Sequence, residues 1–296
     1  MTDAITNLGP AAVGAVVFVL LAAWCFSHRR VDRALAALGL YLGLLDGYLK
    51  LRTGSQFTTL ARDVLVAAIS AGALVRAMHA ERPLSLPPLG GFVLAFSAIV
   101  VVEVVNPSAR SIGTSIVGIR QHLEFVPLFF LGYAFIRRPA QLEKVLLVLV
   151  VCAAAGGVVS YVQSTLTPAE LADWGPGYRE RIYGEGVFAG AGRVGFDENG
   201  ETSVRPFGLG SDIGAGGTAA ALALPALIAL LMGARGGARL VFVLLGGAIG
   251  LAVLTAGSRS GVVAAFVSVA VFAVIAVSSR NAMRLMPFRS QLSGGV

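Results

Sequence analysis

The sequence predicts an all-α protein, a polytopic bundle of about nine transmembrane helices. Three observations predict it. Of the 296 residues, 56% are hydrophobic and only 13% are charged, where a soluble domain carries roughly twice that charge. Mean hydropathy is +0.80, and apolar runs of about 18 residues or more recur along the chain. No stretch alternates with a period of two, which argues against a transmembrane β-barrel.

The apolar runs fall in order at 11–27, 34–50, 60–78, 87–105, 116–136, 142–164, 215–233, 239–256 and 260–278. The first follows MTDAITNLGP, which has neither a basic n-region nor a small-residue cleavage site, so it reads as a retained span. The second and third are the weakest on composition, because Asp46, Lys50, Arg62 and Asp63 interrupt them. Residues 165–214 form a polar loop of about fifty residues, long enough to carry function. The whole of 1–296 reads as one integral membrane domain. Cys25 and Cys152 lie inside apolar runs and read as small core residues.

Charge asymmetry orients the bundle. One set of connections holds thirteen basic and three acidic residues, among them Arg29, Arg30, Arg33, Arg137, Arg138 and Lys144. The positive-inside rule makes that set cytoplasmic in a bacterial inner membrane. The N-terminus and the 165–214 loop then face outward, and the C-terminus is cytoplasmic. The net charge of +7 is spread over short loops, so nucleic acid is not an expected partner.

Four features on the outward side can carry chemistry. The first is RPFGLGSDIGAGG, Arg205 to Gly217, which closes the polar loop and runs into an apolar span. Glycines such as Gly208 and Gly216 allow close backbone approach. A helix expected to begin near Asp212 or Ile213 aims its amides at the same place, and with Arg205 that makes an anion site suited to phosphate. The alternative is that Asp212 caps the helix and Arg205 is a solvated anchor. The second is Arg259 in LTAGSRSGVVAAF, in a short turn flanked by Ser258 and Ser260. A basic residue on this side runs against the positive-inside bias, although a snorkelling arginine is the plain alternative.

The third feature is GIRQHLEFVPLFF, where Arg120 and Glu124 are four residues apart and share a helix face. They either pair with each other or line a polar cavity. The fourth is the long loop itself, with Trp174, Tyr178 and Tyr183 among arginines and carboxylates. That mixture suits carbohydrate or head-group contact, and equally an interfacial segment. There is no P-loop, no His/Cys/Asp group with metal-ligand spacing, no G-x-S-x-G elbow and no strong internal repeat.

The pairing of RPFGLGSDIGAGGTAAALALPALIAL with LTAGSRSGVVAAF, preceded by GIRQHLEFVPLFFLGYAF and GGVVSYVQSTL, resembles the O-antigen ligase and Wzy-type polymerase family. Arg205 and Gly216 match the R-x10-G spacing of outward loops in the polymerases. The likeness spans roughly residues 90–280. It implies a helical membrane glycosyltransferase that uses neither metal nor cofactor. Such an enzyme moves a glycan from an undecaprenyl-diphosphate donor to a lipid or glycan acceptor at the periplasmic face. By the same resemblance Arg205 and Arg259 are the catalytic arginines that clamp the diphosphate. Arg193 assists, and Arg120, Glu124, Gly208, Gly216 and Ser258 bind substrate. Family members carry a further large loop after the Ser-Arg turn that supplies a histidine or arginine. This sequence ends about one span beyond that turn, so a truncated gene, a partner chain completing the site or an inactive copy is expected. Two readings of other classes stand beside this one. A transporter or flippase of lipid-linked glycan would place charges at mid-span on several helices, and a structural envelope-complex subunit would tolerate loss of the outer arginines.

Overall fold

The computed structural model describes residues 16–27, 31–79, 87–105, 118–120, 122–185, 194–196, 202–212, 215–256 and 259–285. They show an all-α polytopic membrane protein. Six of its helices are long and apolar enough to cross a membrane, and three further apolar helices are shorter. In chain order they are α1 (Val16–Ser27), α2 (Val31–Thr53), α3 (Gln56–His79), α4 (Gly90–Val102), α5 (Val126–Phe135) and α6 (Pro139–Ser164). Two short helices, α7 (Pro168–Ala172) and α8 (Pro176–Tyr183), and a small hairpin, β1 (Val194–Phe196) with β2 (Thr202–Val204), occupy the polar loop. The hairpin is antiparallel, with Gly195 opposite Ser203. Helices α9 (Ala215–Gly233), α10 (Gly237–Thr255) and α11 (Arg259–Leu285) end the described chain.

The chain divides into two compact units, residues 1–148 with 174–178, and residues 149–173 with 179–296. In the first, Cys25, Ala34, Leu38, Val66 and Ile69 form a buried cluster. Gly72 lies so close to the Ala22 carbonyl and Cys25 that a side-chain carbon there would collide with both. Small residues that let backbones approach are the usual glue of membrane helices, because lipid tails give no hydrophobic drive to pack. A π turn over Tyr41–Asp46 widens α2 in its middle. The sequence expected unbroken apolar spans at 87–105 and 116–136. The first is helical from Gly90 to Val102 and ends in a tighter turn through Val105. The second is interrupted by a turn at Glu124–Phe125, with Pro127 at the start of α5.

In the second unit α9 packs through a row of small buried residues, Ala220, Ala221, Ala223 and Ala226. Gly157 of α6 sits directly against the Ala248 carbonyl of α10. The opposite faces of α10 and α11 carry residues such as Leu254 and Phe266, which are 79% and 75% exposed and fit a lipid surface. Pro225 lies inside α9. Lacking an N–H, it leaves the Ala221 carbonyl without its helical donor. Ser268 of α11 donates its hydroxyl to that carbonyl at 2.7 Å, with the Ala265 carbonyl 2.9 Å away on its own helix. The proline gap is therefore closed by a neighbouring helix, as membrane backbones require. Replacing Ser268 by Ala is expected to cost about 1 kcal/mol, measured as a lower thermal unfolding midpoint in detergent.

Candidate functional site

The loop that carries Arg205 is built on the end of α6. Ser160 and Gln163 are three residues apart, so they share one face of that helix, and each is 1% exposed. The Gln163 Oε1 accepts the backbone N–H of Phe207 at 2.9 Å and of Gly208 at 2.8 Å, and its Nε2 donates to the Gly208 carbonyl at 3.1 Å. One side chain thus satisfies three buried backbone groups. Gly208 has φ +64°, a left-handed conformation that glycine adopts without penalty. A side chain on Gly208 would meet the Ser160 Oγ at 2.8 Å, and one on Gly216 would meet it at 2.7 Å. Gly208 and Gly216 are the two glycines singled out in the sequence, and both are held against Ser160.

The described part of helix α9 begins at Ala215, close to the Asp212 or Ile213 expected from the sequence, and the Ala215 N–H donates to the Asp212 carbonyl at 3.3 Å. The Asp212 carboxylate pairs with Arg181 of α8 at 3.4 Å. The Arg181 side chain is 14% exposed and that of Asp212 is 53% exposed. Nearby in sequence, α7 opens on a capping box. Thr167 donates both its backbone N–H and its hydroxyl to the Glu170 carboxylate at 2.8 Å. Those bonds, the backbone one first, hold the Glu170 carboxyl below its usual range.

The first turn of α9 meets the last turn of α10, since a side chain on Gly217 would touch the Ala256 Cβ at 2.7 Å. Ala256 is three residues before Arg259, the first residue of α11. The Arg205 loop and the Arg259 turn therefore lie at the same end of this unit. Both guanidinium groups are exposed, and among the described residues neither makes a hydrogen bond or ion pair. Two cations that no carboxylate neutralises, beside the amide end of a helix, make a place where an anion is favoured.

Arg120 and Glu124 belong to the other unit, and they do not pair with each other. The Glu124 N–H still donates to the Arg120 carbonyl at 3.0 Å, as in a helical turn, but the two side chains take different partners. Glu124 is gripped from both sides by Arg62 of α3, Nε to Oε1 and Nη2 to Oε2, each at 2.8 Å. Arg120 pairs with Asp63 at 2.8 Å. Arg62 also lies 3.5 Å from both Asp46 and Asp63, and its guanidinium sits 5.8 Å from the Phe125 ring centroid. Asp46, Arg62 and Asp63, which interrupt the second and third spans, thus each face an opposite charge, which makes their position in a membrane helix tolerable. The Oδ1 of Asp46 is buried with no donor among the described residues.

Arg193 and Ser258 lie outside the described residues. No group of three metal-ligating side chains occurs among the described ones. The residues the sequence did not single out are Ser160, Gln163 and Arg181. Two polar side chains on one face of the otherwise apolar end of α6 are the signal that marks the first two. Comparison with known protein families, with characterised proteins and with solved structures finds no match to this chain.

Two outcomes are expected. Gln163→Leu strands the Phe207 and Gly208 amides, at about 1–3 kcal/mol each. Hydrogen exchange at Phe207 and Gly208 should accelerate while α10 stays protected. Arg62→Met leaves Glu124 buried and unpaired and should destabilise by about 3–5 kcal/mol, whereas the double change Arg62→Met with Glu124→Met should recover most of it. Thermal unfolding in detergent reads the difference.

Proposed function

We propose that this chain is a membrane glycan ligase or polymerase of the O-antigen ligase type. It would act in polysaccharide biosynthesis at the cell envelope, taking its glycan from an undecaprenyl-diphosphate donor and delivering it to a lipid or glycan acceptor. One observation carries the reading: two exposed arginines with no hydrogen bond or ion pair among the described residues, Arg205 and Arg259, stand at one end of a single helical unit. The motifs that hold them are the ones that resemble the family. A diphosphate leaving group gathers charge as its bond to the anomeric carbon breaks, and guanidinium groups held in advance stabilise that charge. In this reading the arginine-bearing end faces the periplasm from the inner membrane, the N-terminus is outside and the C-terminus is cytoplasmic. Arg193 and Ser258 extend the diphosphate site.

The second reading is a transporter or flippase of lipid-linked glycan. The linked charges of Asp46, Arg62, Asp63, Arg120 and Glu124 favour it, since ionisable residues within spans often mark transport paths.

The test is glycan transfer in membranes from cells that express each variant at equal insertion. Arg205→Ala and Arg259→Ala should each lower turnover by about 10²–10³-fold, the usual effect of removing one preorganised donor. Full transfer by both variants, with glycan movement lost in Arg62→Met, would replace the ligase reading by the transporter one.

A further inference from the structure

Each arginine among the linked charges of the first unit has a carboxylate of its own. The converse fails, and the carboxylate left over is Asp46. Arg62 gives its Nε and Nη2 to Glu124, both at 2.8 Å, and Arg120 takes Asp63 at 2.8 Å. Asp46 has only the Nη1 of the same Arg62, at 3.5 Å from its Oδ2. Its Oδ1 is buried and has no hydrogen-bond partner among the described residues. Asp63 also has an oxygen without a hydrogen bond, but that oxygen faces the Arg62 Nη2 at 3.5 Å and the side chain is 25% exposed. Asp46 as a residue is 7% exposed. Tyr41 and Lys50 of its own helix are the other titratable groups around it, and Lys50 lies beyond ion-pair distance. A carboxylate taken out of water is costly unless it is paired and hydrogen-bonded. A carboxylic acid needs no counter-charge, and its second oxygen can still accept from Arg62.

We propose that Asp46 is a proton-binding site of the membrane interior, with a hydrogen on Oδ1 near neutral pH and Oδ2 turned to Arg62. The proton comes from water and returns to water, and no other bond changes. Asp46 lies about two helical turns before Thr53, where α2 ends, so roughly 10 Å of helix separates it from the connection to α3. Release of the proton leaves two guanidinium groups among three negative charges. The site belongs to the first unit alone and does not depend on the transfer reading.

The experiment follows infrared difference spectra and thermal unfolding of the full chain in lipid nanodiscs as the pH is raised from neutral. The unaltered protein should show the carbonyl band of one protonated carboxyl group per chain and lose it as the pH rises. Its unfolding midpoint should fall over the same range, because there the folded state holds a proton that the unfolded state has already released. Asp46→Asn should abolish both the band and that fall. No such band in the unaltered protein, or a band that survives Asp46→Asn, would overturn the proposal. Failure of Asp46→Asn to insert and fold would overturn it too, because a neutral amide of the same size should replace a neutral carboxyl. A band seen in choline chloride but absent in sodium chloride at the same pH would assign the site to a sodium ion instead of a proton, and would likewise overturn it.

Discussion

A membrane offers no water to a stranded polar group, so each buried donor, acceptor and charge has to find its partner within the protein. Three local solutions follow from that constraint. Ser268 supplies the hydrogen that Pro225 cannot, and so keeps α9 intact through its middle. Arg62 grips Glu124 with two nitrogens and reaches towards Asp46 and Asp63, so that each of these carboxylates faces a cation. Gln163 takes up three backbone groups of the Phe207–Gly208 turn, and this lets an irregular loop rest on the end of a membrane helix.

The third solution leads towards function. The Phe207–Gly208 turn is braced by Gln163, and a group held in advance of any ligand is what stabilises charge in a transition state. Arg205 precedes the braced turn, and Arg259 opens α11 shortly after α10. The functional proposal rests on this juxtaposition of two arginines within one unit. The ion-pair network of the other unit has a self-sufficient structural explanation, because each of its arginines has a carboxylate partner.

Much of the architecture was legible in composition. Among the described residues each apolar run holds an apolar helix, six of them long enough to cross a membrane, and the long polar segment holds short helices and a small hairpin. Hydropathy is a sum over many residues and survives local irregularities. Helix ends were less legible, because Pro127 and the turn at Glu124 act on single residues. The partners of Arg120 and Glu124 could not be read from a four-residue spacing, since α3 brings Asp63 and Arg62 to them from some sixty residues away. At the candidate site, the glycines read from the sequence as places for a ligand to approach prove, at Gly208 and Gly216, to lie against Ser160 of the chain itself. Their contact, Ser160, and the brace supplied by Gln163 lie more than forty residues away in sequence, and only the fold brings them together. The Arg181–Asp212 pair joins segments thirty-one residues apart and was hidden for the same reason.

The central claim is that the two arginine motifs share one end of one helical unit. Single cysteines placed at position 205 or 259, in a background with Cys25 and Cys152 replaced by serine, can be labelled in intact cells with a membrane-impermeant thiol reagent. Because both positions lie at the same end and are exposed, they should label from the same side of the membrane. Outward labelling of both would match the proposed periplasmic site. Labelling of one from outside, with the other reacting only after the membrane is opened, would contradict the account.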